Sequence, residues 1–258
     1  MENALLVGLS RQMALSHELD IVANNVANIE TTGYKADNAA FGQYLMPHAR
    51  DDQFGGSDRQ ISFVQDRGSW IDFSPGALQR TGNPLDVAIK VNAYLVVQTP
   101  RGQRYTRNGA LLINATGQLV TEDNNPVLGE NGPITFRPGD HDVIISSNGI
   151  VTVREAGSNT DSQRGRLQLA AFAREQQLQK DGGGLFAAPG GVNPAPPAQG
   201  VTVVQGAIEK SNVNAVAEVT RMIEITRSYT DIANILQQQG DQRRNSLSQL
   251  SQVPTAGS

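Results

Sequence analysis

The two ends of this chain read as one kind of structure and the middle as another, and that layout limits what the chain can fold into. Residues 1–30 and 213–250 carry apolar side chains at helical spacing, whereas the stretch between them is made of short β-type runs punctuated by turn residues. A helix of about 25 residues spans about 38 Å. Two such helices, each with an apolar stripe and little nearby sequence to cover it, must bury those stripes against each other or against other molecules. The prediction is an α+β chain, with a discontinuous helical domain from the N- and C-terminal helices and a central antiparallel all-β domain. The expected divisions are 1–35 for the N-terminal helix, 36–75 for a linker or extended segment, 76–205 for the β domain and 206–258 for the C-terminal helix. Aromatic residues make up only 5% of the chain, with Trp70 the single tryptophan, which is lean for one closed core and agrees with burial against partners.

In the first helix Leu15, Leu19, Val22, Val26 and Ile29 fall at spacings of 4, 3, 4 and 3, the seam of a coiled coil. Leu6, Leu9, Met13 and Ala23 form a second stripe beside it, so the helix can touch more than one neighbour. Asn24, Asn25 and Asn28 interrupt the apolar surface, and buried amides of this kind fix register between packed helices. The other reading places them in water near a fraying end. Gly33 is the expected stop. The last helix has candidate caps in Ser211, Asn212 and Asn214 and a stripe of Met222, Ile225, Tyr229, Ile232 and Leu236. Glu218–Arg221, Glu224–Arg227 and Arg227–Asp231 are spaced for ion pairs along it. Past Leu236 the pattern weakens at Gln237–Gly240, Leu247 and Leu250 continue it, and the tail from Pro254 reads as loose. The two seams and the three asparagines are the predicted subunit interface. An ordinary intramolecular core is the competing reading of each.

The middle reads as hairpins of a barrel or sandwich. Asn108-Gly109 and Asn148-Gly149 each sit between β-type runs, and Thr116-Gly117 and Asn131-Gly132 supply further turns. Leu167–Phe172 is another strand candidate, 181–200 reads as a long Gly/Pro surface loop, and the acidic stretch 47–60 reads as a linker.

Chemistry is hard to find. The net charge is −4 and no segment is strongly basic, which argues against nucleic acid. Arg101, Arg104 and Arg107 read as solvated surface. There are no cysteines, hence no disulfide, thiolate nucleophile or Cys-ligated metal. His17, His48 and His141 are too scattered for a metal site, and no phosphate loop or nucleophile elbow appears. Asp140 and Asp142 lie in a turn where acidic residues are ordinary. No cofactor, metal or catalytic residue is predicted. No apolar run is long enough to span a membrane, and the N-terminus lacks the pattern of an ordinary secretory signal.

Three motifs carry a resemblance. Leu19–Asn28 (LDIVANNVAN), followed by Thr31-Thr32-Gly33-Tyr34-Lys35, is similar to the N-terminal signature of bacterial flagellar rod and hook proteins. Thr81–Ile89, with Asn83-Pro84-Leu85-Asp86, then Tyr105-Thr106-Arg107-Asn108-Gly109, Gly117–Val120 and Val127–Gly129, resembles the family's central block. Gly206–Asn214, with Glu209, Ser211, Asn212 and Val213, then Met222-Ile223 and Arg227-Ser228-Tyr229, resembles its C-terminal signature. Gly129–Ile134 and Gly165–Leu169 point to the proximal-rod branch, with the distal-rod and hook members as the alternative. Val91, Ala93 and Tyr94-Leu95 depart from the family pattern. The resemblance implies a periplasmic axial subunit of the flagellar basal body, exported through the flagellar type III apparatus without a cleaved signal. It implies that the terminal helices pack into an inner tube and the β body forms the outer layer. The implied partners are further copies of itself and other rod proteins, with peptidoglycan or ring proteins as further contacts. Two readings from other classes are a secreted peptidoglycan-binding or carbohydrate-active β domain, for which Trp70, Tyr94 and Tyr105 are the available aromatics, and a cytoplasmic coiled-coil adaptor.

Overall fold

The computed structural model describes residues 2–46, 61–90, 92–157, 160–190, 192–195 and 201–251. The stretch 47–60 with His48, Val91 and the tail from Pro254 lie outside the described residues. The chain forms two units, one of residues 1–26, 37–70 and 215–258, the other of residues 27–36 and 71–214.

The first unit holds helix α1 (Glu2–Ala27), helix α2 (Ala215–Ser251) and a two-stranded ribbon of Asp37–Met46 and Ile61–Ile71. The ribbon occupies the stretch expected as a linker or extended segment. With 26 and 37 residues the helices run about 39 and 56 Å. Asn214 immediately precedes α2, and α2 continues without a break through Gly240. Asn25 is fully buried and holds the start of the ribbon. Its Nδ2 donates to the Asp37 carbonyl at 2.8 Å, and its Oδ1 accepts the Asp37 N–H at 2.9 Å. The amide thus pairs with both polar groups of the Asp37 backbone.

The second unit is the antiparallel body that the hairpin punctuation predicts. Its central sheet runs in the order Leu169–Ala170, Tyr94–Thr99, Gly102–Thr106, Leu185–Ala187, Gln179–Lys180. The strand Tyr94–Thr99 is covered on both faces. Leu95 and Val97 join one apolar cluster with Leu111, Leu119 and Val151, while Tyr94 and Val96 join an aromatic cluster with Phe73, Tyr105, Phe172 and Phe186. Tyr94 meets Phe172 and Phe186 with ring centres 5.8 Å apart in edge geometry, the arrangement aromatic quadrupoles favour. Gly117, Gly132 and Gly149 turn their hairpins with positive φ, as read from the sequence.

Three expectations need correction. Asn108-Gly109 does not join a hairpin: Gly102–Thr106 pairs with Tyr94–Thr99 and Leu185–Ala187, and Leu111–Ile113 pairs with Leu119–Thr121. Residues 181–200 are not all surface loop, because Leu185 and Phe186 form a buried strand. Burial of two large apolar side chains outweighed the Gly-rich flanks. The arginine triplet also divides. Arg101 and Arg104 grip Asp181 at 2.7 and 2.6 Å, whereas Arg107 is buried because an acidic partner waits inside.

Candidate functional site

Two places in the molecule gather the residues that the sequence singled out. The first is the pair of terminal helices. Glu18 binds Arg221 at 2.7 Å, a pairing across the helices where an intrahelical one with Glu218 was expected. Glu218 lies 3.5 Å from the Asn25 amide, and Leu236 seats over Gly8, where an added Cβ would come within 2.7 Å of Leu236 Cδ2. As numbers rise along α1 they fall along α2, so the helices are antiparallel. The predicted seams face inward in part. Val22 and Ile225 are buried, and Leu15, Leu19, Val26, Met222, Tyr229, Ile232 and Leu236 are half-buried. Asn24 is exposed. Asn28 and Ile29, just past α1 in the second unit, are half-buried.

Pairing leaves a second set of apolar residues open. On α1 these are Leu6, Leu9 and Met13, the last 67% exposed; on α2 they are Val216, Val219 and Ile223, the first 77% exposed. Each set has the i, i+3, i+7 spacing of a packing stripe. An apolar stripe on a long surface helix marks a site of association.

The second place is a buried charge cluster in the β unit that draws one residue from each of the three motifs. Lys35 is fully buried. Its Nζ reaches Glu209 Oε1 at 2.6 Å and the Ser74 carbonyl at 2.8 Å. Glu209 Oε1 also accepts the Gly76 N–H at 2.9 Å, and its Oε2 accepts Arg107 Nη1 at 3.3 Å. Arg107 lies over the Tyr94 ring, 4.9 Å from its centre, and donates to the Ile89 carbonyl. The Tyr94 hydroxyl donates to Glu175 at 3.2 Å. Burial pulls the Lys35 ammonium below its ordinary range, against the opposing pull of Glu209, and pushes the Glu175 carboxyl above its own.

The neighbouring motif residues build the cluster's frame. Gly33 has φ 68° and donates to the Glu209 carbonyl at 2.7 Å, and a side chain there would strike the Arg107 backbone. Tyr34 is buried with the Lys180 ammonium over its ring, and Thr32 is half-buried beside it in sequence. Asn212 does not cap α2. Its Oδ1 accepts the Ala36 N–H at 2.8 Å, and its Nδ2 donates to the Asp72 carbonyl at 2.8 Å. Ser211 Oγ accepts the Val213 N–H. Asn83-Pro84-Leu85-Asp86 forms a turn in which Asn83 Nδ2 donates to Asp86 at 2.9 Å. Tyr105, Thr106 and Gly109 are buried. Sequence reasoning named Lys35 and Glu209 only as motif residues, took Arg107 also as solvated surface, and missed that the three meet. A signal existed for Glu209, since strand alternation puts it on the same inward face as Ala207.

Neither place has the parts of a catalytic site. Tyr94 and Tyr105 are buried and form no sugar platform, although Trp70 is 46% exposed. Among the described residues no acidic or histidine cluster could hold a metal, and no helix is long and apolar enough to cross a membrane. An open cleft of 470 Å³ lined by Asn83, Pro84, Leu85, Ile113, Asp142, Val143 and Ile144 contains one carboxylate, and Arg154 holds it at 2.9 Å. Asp140 is clamped by Arg164 at 2.6 Å. Its hydrogen bond to that guanidinium holds the Asp140 carboxyl below the ordinary value of 3.8. The stability it contributes is complete above that value and is lost as pH falls through the lower folded one. Asp140→Asn should therefore flatten the acid limb of the stability–pH curve, measured by denaturant unfolding from pH 2 to 6 (about the carboxylate range).

The sequence matches three family descriptions in order along the chain. Residues 5–35 match the flagella basal body rod protein family, residues 88–153 the D1 domain of the flagellar hook proteins FlgE/F/G, and residues 204–250 the C-terminal part of the flagellar basal body rod FlgEFG proteins. The chain is 36% identical over 255 residues to the flagellar basal-body rod protein FlgF of Caulobacter vibrioides, covering 98% of this chain and 100% of the relative. It is 31% identical to FlgF of Salmonella typhimurium, covering 89% and 90%. It is also 33% identical to the rod protein FlgG of Caulobacter vibrioides, covering 96% and 98%. Lys35, Arg107 and Glu209 fall one in each of the three matched segments.

Proposed function

The chain belongs to the family of flagellar basal-body rod proteins and is a structural subunit of the rod, and from that premise we propose that it polymerises through its terminal helices into the periplasmic drive shaft needed for motility. In this reading each subunit offers the open stripe of α1 and that of α2 to neighbours, which are other rod proteins and further copies of itself. A contact between two different faces that does not close on itself generates a helical filament. The β unit forms the outer layer, where contact with peptidoglycan or ring proteins would occur. Export is by the flagellar type III apparatus, without a cleaved signal, and the chain performs no catalysis.

The observation that carries this reading is the pair of open stripes, Leu6-Leu9-Met13 and Val216-Val219-Ile223, left after the helices have paired with each other. A self-sufficient globule would not leave two such stripes open. In a flagellated host lacking its own copy, Leu9→Asp with Met13→Asp should leave the free subunit's helical content and unfolding midpoint unchanged. The same variant should reduce its recovery in purified basal bodies by about tenfold or more, since each charge must be buried without a partner at a packed interface. Recovery at the wild-type level with normal swimming would refute assembly through this face.

A further inference from the structure

Three of the four chain passages that lead out of the β unit run through its charge cluster. Residues 33–36 come in on Gly33, Lys35 and Ala36; residues 71–76 on Asp72, Ser74 and Gly76; residues 209–214 on Glu209 and Asn212. Residues 34–36 and 72–77 belong to no strand, and the nearest ladder, Ala207–Glu209 on Leu78–Arg80, is three residues long. Here Glu209 binds all three, through Lys35, through the Gly76 N–H and through its own backbone, and it is tied to the central sheet by Arg107. Asn212 repeats the pattern on Ala36, Asp72 and Ser74. The ions are out of water, so a broken contact finds no solvent substitute.

We propose that this cluster is a mechanical clamp. It sets the three outgoing passages in parallel, so that force arriving along the chain moves the β unit as one body instead of stripping its ends in turn. The role rests on assembly of the subunit into a rotating rod, and it adds a task for residues with no place on an assembly face.

Glu209→Gln tests it, because the amide keeps the shape and takes away the one carboxylate that Lys35 and Arg107 both contact, leaving only the more distant Glu175. In the purified full chain, trypsin should cut at Lys35 and Lys210 at least about tenfold faster than in wild type, with the aromatic near-ultraviolet signal retained. In cells, variant rods should be recovered in normal amount while swimming speed falls more steeply with added viscosity than in wild type. Unchanged cleavage or a wild-type viscosity profile overturns the clamp. If Glu209→Gln loses the near-ultraviolet signal, Asn212→Ala, which removes hydrogen bonds without stranding a charge, decides on the same two readouts. Absence of the wild-type chain from purified basal bodies would sink the assembly reading itself, an outcome distinct from wild-type behaviour of Glu209→Gln.

Discussion

Gly109→Ala should cost the β unit about 4 kcal/mol or more, beyond the usual 1–3 kcal/mol of an overpacked core. A Cβ at residue 109 would lie 1.7 Å from the Val87 carbonyl oxygen and 3.2 Å from Val87 Cγ2. The obstacle is backbone, so no rotamer change relieves it. Val87 is 1% exposed, donates its N–H to the Gly109 carbonyl at 2.9 Å and pairs with Gln205 in the strand Val87–Lys90. Moving it strains the ladder that binds the C-terminal segment to the body. The measurement is the denaturant midpoint of the full chain. Gly240→Ala is the control of opposite sign: it lies inside α2 with nothing within 4 Å, and should stabilise the helix by about 0.5–1 kcal/mol. A Gly109→Ala midpoint equal to wild type would mean that the close approach is not kept in solution.

The two uses of glycine explain why this position was misread. Asn148-Gly149 turns a hairpin, and Asn108-Gly109 permits a close approach, yet the two dipeptides look alike in a sequence. The helices were legible because a 3.6-residue period sustained over many turns has few imitators: α1 and α2 end within about three residues of the ranges read from it, the usual margin for element ends. The charge cluster was hidden because its pairs are separated by 174 and 102 residues, and nothing local distinguishes a lysine that will be buried from one that will be wet. Asn25 shows a subtler limit. Its position within a helical seam was plain, but its bond to Asp37 depends on a ribbon whose place beside the helix no periodicity reports.

Val22→Asp is expected to abolish motility by a different route from the stripe variants. Val22 is fully buried in the helical unit and Ile225 is 4% exposed, whereas Leu9 and Met13 are open. An aspartate at residue 22 places a carboxylate in an apolar site with no partner, at a cost of several kcal/mol. The paired helices are long, and isolated helices are marginal in water. The free subunit should lose much of its far-ultraviolet helical signal and become protease-sensitive along α1 and α2. The near-ultraviolet signal of the Tyr94–Phe172–Phe186 cluster should persist, because that cluster belongs to the other unit. Ile225→Asp should behave alike, and Leu19→Asp and Ile232→Asp, half-buried, should show a milder form. The contrast separates the two faces of each helix. Stripe variants keep a normal subunit and fail to assemble, while Val22→Asp has no intact helical pair to assemble with. Wild-type helicity in Val22→Asp, together with its normal recovery in basal bodies, would show that the two helices do not rely on each other before assembly.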